Sequence, residues 1–170
     1  MGPRTNEFSG RQLVFQRDKN RFVLPTGFRK ALLEANAREE GNKTFMFLDV
    51  HPDWDCLIGF GRDYKDTLAA DARRDADMAA QAGRDFNRQK GVIDVSGYER
   101  VPYDNGGRFV VPEMLGPLVG IDERIYFRGG TDFFLMWSPE ALYAMDSSWK
   151  RDIDLCRRME AQADAKGARK

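Results

Sequence analysis

Apolar residues fall along this chain in short, dense runs separated by polar turns, and the runs come in two similar series. Gln12-Leu13-Val14-Phe15 and Arg21-Phe22-Val23-Leu24 are of strand length and are divided by the polar residues 17–20. Pro25 ends the second run, because proline cannot donate to a sheet ladder yet fits the first turn of a helix. Residues 26–37 set Phe28, Ala31 and Leu32 at near-helical spacing and predict a short helix, weakened at its start by Gly27. Two more strands are predicted at 43–48 and 56–60, around a polar turn with His51-Pro52.

The second series begins with residues 91–95 and 98–101. It continues through 108–111 to Pro112, a helical turn at 113–118 interrupted by Gly116-Pro117, and strands at 124–128 and 133–137. Between the two series lies a different texture. Residues 62–90 are rich in Ala and charge and hold no proline, which predicts one long helix or two shorter ones, with Gly83 as the break. After the second series, Ser138 as N-cap and Pro139 at the first helical position start a last helix. Its stripe of Leu142, Met145, Trp149, Ile153 and Cys156 is spaced for core or interface packing.

Setting Arg21 on Arg108 brings Pro25 onto Pro112, Phe22 onto Phe109 and Val23 onto Val110. The chain therefore reads as two copies of one small unit. Pieces of two or three short strands are marginal alone, so the copies are expected to share a core, and closing them into a small barrel would remove open edges. The division is a first repeat at 8–61, a helical connector at 62–90, a second repeat at 91–137, a C-terminal helix at 138–160 and a flexible tail at 161–170. Met1 to Ser9, polar with Gly and Pro, reads as a flexible lead-in.

Composition narrows the function. A chain of 170 residues with 42% apolar residues can fill one shared core. The formal net charge of zero argues against indiscriminate coating of nucleic acid but leaves room for a local basic site. Such a site is suggested near the N-terminus, where Arg4, Arg11, Arg17, Lys19, Arg21, Arg29 and Lys30 face only Glu7 and Asp18. Ordinary solvated surface explains the same charges. Cys56 and Cys156 lack metal-ligand spacing, and without a secretory signal a disulfide is not expected. No metal, cofactor or membrane span is indicated, and the chain reads as cytoplasmic.

Catalytic patterns are missing from the sequence: no G-x-S-x-G, H-E-x-x-H, phosphate-binding loop or dinucleotide fingerprint. His51, the lone histidine, reads as solvated or bonded to backbone. The chain is therefore taken as no enzyme. The turn Asp104-Asn105-Gly106-Gly107-Arg108 has two readings. Its Gly residues allow positive φ, and Asp104 and Asn105 can brace the backbone. Equally, it can aim Arg108 at a phosphate or guanine edge, for which the planar guanidinium fork is suited.

The duplicated turn, the helical connector and the final helix together resemble the MraZ family, over about residues 8–160. Members carry two AbrB-like halves, each with Asp-x-x-Gly-Arg, an apolar stretch and Pro. The second copy here, Asp104 to Arg108 with Phe109-Val110-Val111-Pro112, fits fully. The first keeps Arg21, Phe22-Val23-Leu24 and Pro25 but has Arg17 in place of Asp and Asn20 in place of Gly. The resemblance implies a mainly β, α+β fold, an intertwined swapped-hairpin or double-psi barrel made from the two repeats, plus the C-terminal helix. It implies a nucleoid-associated transcriptional regulator, chiefly a repressor, of the division and cell-wall gene cluster and its own operon. Its partners would be double-stranded DNA, at direct repeats upstream of that operon, and copies of itself in a ring. By match, Arg21, Arg108 and Lys19 are the expected DNA-binding residues, with the first copy favoured, and Arg17, where the motif has Asp, adds positive charge to the same face. An AbrB-type antitoxin or a non-enzymatic structural oligomer is the alternative.

Overall fold

The computed structural model describes residues 6–83 and 88–168. The first residues of the lead-in, part of the helical connector and the last two residues of the tail lie outside this range. In chain order the elements are β1 (Arg11–Phe15), β2 (Arg21–Val23), α1 (Thr26–Ala35), β3 (Phe45–Val50), β4 (Leu57–Phe60), α2 (Arg62–Gln81) and α3 (Arg88–Asp94). They continue with β5 (Glu99–Pro102), β6 (Arg108–Val110), a 3-10 turn (Pro117–Val119), β7 (Arg124–Gly129) and β8 (Phe134–Trp137). The chain ends with α4 (Pro139–Tyr143), a second 3-10 turn (Ser147–Trp149) and α5 (Lys150–Ala168).

Six strands form one antiparallel sheet in the order β1-β7-β8-β4-β3-β5, and β2 and β6 form a separate two-stranded ribbon. The expected barrel is not formed. β1 and β5 lie at opposite ends of the sheet and do not pair, so neither sheet closes on itself. The reason is local. β2 and β6 have only three residues each, and prolines follow both. Arms that short pair with each other but cannot also bridge the outer strands of the sheet.

The order is palindromic with respect to the two series. Exchanging β1 with β5, β3 with β7 and β4 with β8 reverses it. The first strand of each series leaves its own hairpin and pairs with the other's: β1 with β7 and β5 with β3. Side chains follow the same pseudo-twofold. Val14 and Val101, Phe22 and Phe109, Leu24 and Val111, Phe28 and Leu115, and Leu32 and Val119 are mates, and all are buried.

The sheet is buried on both faces, which is why its inner strands are apolar throughout. One face carries Met46, Leu48, Leu57, Ile125, Phe127, Phe134 and Met136 against α1 and the ribbon. The other carries Phe45, Phe47, Ile58, Phe60, Tyr126, Leu135 and Trp137 against Tyr64 and Leu68 of α2 and against α4 and α5. Asn36, fully buried, joins three elements. Its Nδ2 donates to the carbonyls of Lys43 and Phe45, at 3.1 and 2.8 Å, and its Oδ1 accepts from the amide of Arg62 at 2.9 Å.

Four local expectations change. Phe8, read as lead-in, is buried and exchanges backbone hydrogen bonds with Thr131. Residues 91–94, read as opening the second series, are helical. Their two adjacent β-branched residues, Val92 and Ile93, form too short a run for periodicity to decide. The last helix is broken into three pieces, because Asp146 accepts from the amide of Ser148 at 2.9 Å and starts a new turn there. After the break, α5 continues to Ala168, through most of the stretch read as tail.

Candidate nucleic-acid interface

The ribbon places the two duplicated turns side by side. Arg21 lies opposite Val110, Phe22 opposite Phe109, and Val23 opposite Arg108. Because the pairing is antiparallel, the two arginines sit diagonally at its two ends. Alternation then puts Phe22 and Phe109 into the core, their rings 6.3 Å apart, and leaves Arg21, Arg108 and Val110 exposed. Arg21 and Arg108 share a shallow hollow of about 320 Å³ with Asp104, Phe109 and Val110. Lys19, on the first turn, is exposed as well. Arg17 is also exposed and lines a different groove, of about 330 Å³, whose far wall includes Thr26 and Arg29 of α1.

The second turn is tightly braced. Asp104 Oδ1 accepts from the amides of Gly106 and Arg108, both at 2.9 Å, and Oδ2 accepts from Arg108 Nε at 2.7 Å. The Arg108 amide, outweighing the opposing effect of desolvation together with the guanidinium and the Gly106 amide, holds the Asp104 carboxyl below its ordinary range. Gly107 takes φ +83° and donates to the Asp104 carbonyl at 2.9 Å. Its own carbonyl accepts from Leu24.

The first turn closes differently. With Arg17 where the mate has Asp104, no carboxylate is available to the Arg21 amide, which donates instead to the carbonyl of Asp18 at 2.8 Å. Asp18 Oδ1 takes the Lys19 amide at 2.8 Å. Asn20 stands in the left-handed region at φ +61°, which asparagine tolerates better than most residues. The Asn20 carbonyl accepts from Val111, the mate of the bond from Leu24 to Gly107.

Sequence reasoning counted Arg29 only in the basic N-terminal charge and missed its part in the second turn. From α1 it crosses to the other copy's turn, donating through Nη1 to the carbonyl of Asn105 at 3.2 Å and through Nη2 to Thr26 Oγ1 at 3.2 Å. Its side chain passes so close to Gly107 that an added Cβ there would lie 2.5 Å from Arg29 Cδ. The motif gave no signal of this, since the partner is 76 positions away.

Elsewhere, the described residues hold no group of three or more His, Cys, Asp or Glu able to bind a metal. His51 stacks on Trp54 at 4.2 Å and accepts the Asp53 amide at Nδ1. Burial pushes its pKa down despite the nearby Asp53. Cys56 and Cys156 are buried free thiols. Among the described residues, no helix is long and apolar enough to cross a membrane.

Comparison with known proteins points the same way as the duplicated turn. A protein of Rhizobium rhizogenes strain K84 named Transcriptional regulator MraZ is 27% identical over 141 residues, which cover 82% of this chain and 88% of that one. The chain is distantly similar to MraZ regulators. The MraZ of Rhodospirillum rubrum is 29% identical over 128 residues, covering 74% of this chain and 76% of its own. That of Roseiflexus castenholzii is 27% identical over 135 residues, covering 77% and 83%. No family model matches the chain. The similarity to MraZ proteins is thus spread over about three quarters of the sequence or more, at low identity.

Proposed function

We propose that this chain is a sequence-specific DNA-binding transcriptional regulator of the MraZ type. It acts as a repressor of its own operon and the neighbouring division and cell-wall genes, and works in the cytoplasm at the nucleoid. The observation that carries the reading is the pair of exposed arginines at the two ends of one short β-ribbon. A two-stranded ribbon of three residues is about 10 Å long, and the major groove is about 12 Å wide and admits such a ribbon. The ribbon would carry Arg21 and Arg108 to the DNA, with Lys19 and Arg17 flanking it to meet phosphates.

Each subunit would offer a small basic patch on a chain of zero net charge. Association of copies into a ring would set several patches against direct repeats, and linkage would raise the effective affinity. The repeats at 8–61 and 91–137 supply one turn each, the connector at 62–90 joins them, and the C-terminal helix supports the sheet.

Fluorescence anisotropy with the DNA upstream of the chain's own gene, against shuffled DNA of the same composition, tests this. We expect preference for the upstream DNA and affinity that falls steeply with salt. Arg21→Ala and Arg108→Ala should each weaken binding about tenfold. Equal affinity for both duplexes would overturn the reading.

A further inference from the structure

The two arginine turns are mates in the pseudo-twofold, but they are not held alike. In the second, Asp104 fixes Arg108 through Nε, and among the described residues both Nη groups are uncommitted, on a side chain 69% exposed. Arg29 holds the same turn from behind. A Cβ on Gly107 would lie 2.5 Å from Arg29 Cδ, so the turn and the arginine touch only because that position has no side chain. Arg29 Nη1 also ties down the Asn105 carbonyl.

The first turn has none of these devices. The mate of Asp104 is Arg17, that of Gly107 is Asn20, and that of Arg29 is Gly116, which has no side chain to reach across. Arg17, Lys19 and Arg21 make no side-chain hydrogen bond or ion pair among the described residues, and all three are exposed.

These two arrangements suit different contacts. Reading a base edge needs a guanidinium held in one pose, because a planar fork must meet two acceptors together. A phosphate contact needs charge and tolerates motion. Resting on the DNA-binding reading above, we infer that the turns divide the work. Arg108 reads a base, Arg29 is the positioning residue that sets the turn carrying it, and Arg17, Lys19 and Arg21 supply phosphate contacts. Arg29 acts through residues 105–107 and touches no DNA.

Stability and specificity should separate at Arg29. Its Nε is buried with no hydrogen-bond partner among the described residues, so replacing the guanidinium by an apolar chain of similar length removes an unsatisfied donor along with two long bonds. The test begins with a duplex that the wild-type chain selects from a random library, compared with a shuffled duplex across a salt series. For Arg29→Met we expect the preference for the selected duplex to fall about tenfold, with the salt slope and the thermal midpoint unchanged. Arg21→Ala should weaken binding to both duplexes alike and reduce the salt slope by about one. Asp104→Asn, which loosens the same turn from its other side, should repeat the loss of preference seen for Arg29→Met. Full preference in either Arg29→Met or Asp104→Asn overturns the division of work and leaves DNA binding intact. So does loss of preference in Arg21→Ala. A wild-type chain that selects no sequence overturns the DNA-binding reading, and the inference falls with it.

Discussion

Gly106 and Gly107 are neighbours in one turn, yet a methyl group should affect them differently. At Gly106 an added Cβ would meet Asp104 Oδ1 at 3.4 Å and Arg108 Nε at 3.7 Å, ordinary contacts. At Gly107 it would be strained by φ +83° and would overlap Arg29 Cδ at 2.5 Å and Nε at 2.8 Å. Gly106→Ala is therefore expected within about 0.5 kcal/mol of wild type in urea unfolding. Gly107→Ala should cost about 1–2 kcal/mol from the backbone alone, with more from displacing Arg29. Equal costs would mean that Arg29 does not rest on the turn. At this scale the sequence was informative where the chemistry is local. Asp104, Gly107 and Arg108 lie within five residues, and Asn20 could be recognised as a tolerable stand-in for Gly. Arg29 could not be found, because its role exists only once the two copies interleave.

At the scale of elements, α5 is fastened to the sheet by ion pairs of Glu160 and Asp164 with Arg124 on β7 and, nearer its start, by Asp152. Asp152 Oδ1 accepts from Arg11 Nε on β1 at 2.8 Å, from Tyr126 Oη at 2.7 Å and from Arg128 Nε on β7 at 3.1 Å. Burial pushes the Asp152 carboxyl up. The hydrogen bonds from Tyr126 and Arg11 and the charges of Arg128 and Arg11 outweigh it and leave the pKa below its ordinary value. A carboxyl depressed in the folded state stabilises the fold above its unfolded pKa of about 3.9. That contribution is lost as pH falls through the folded value. Asp152→Ala should cost about 3 kcal/mol at neutral pH, since it strands a buried hydroxyl and two guanidinium groups. The gap between variant and wild type should then shrink as the pH is lowered below about 4. A gap that is constant from pH 7 to pH 3 in denaturant titrations would remove Asp152 from this role. The stripe of Leu142, Met145, Trp149, Ile153 and Cys156 had signalled a packed helix here. What it did not show was the break, because apolar spacing carries no information about Asp146 competing for the backbone amides.

At the scale of the whole molecule, the sequence revealed the duplication but not how the duplicates join. The matched turns and prolines located strands and their order along the chain. Whether the sheet closed depended on which strand sat at each edge, and β1 finds β7 more than a hundred residues away, where no local pattern reports it. The outcome is an open sheet in which each copy contributes a strand to the other's hairpin, so neither copy owns a complete hydrophobic face. One consequence concerns the unfolding transition. Trp54 of the first series packs on Trp149 at 4.8 Å, and Trp149 on Trp137 of the second at 5.1 Å, all on one face of the sheet. Leu32, also of the first series, is fully buried on the opposite face. If the interleaved sheet is a single cooperative unit, tryptophan fluorescence and far-ultraviolet ellipticity must follow the same denaturation curve at a fixed protein concentration. Leu32→Ala should then move both curves together, by about 2–5 kcal/mol, although Leu32 lies on the opposite face from the tryptophan stack. Two separate transitions, or a fluorescence midpoint unmoved by Leu32→Ala, would mean that the copies unfold independently and that strand exchange contributes little to holding them together.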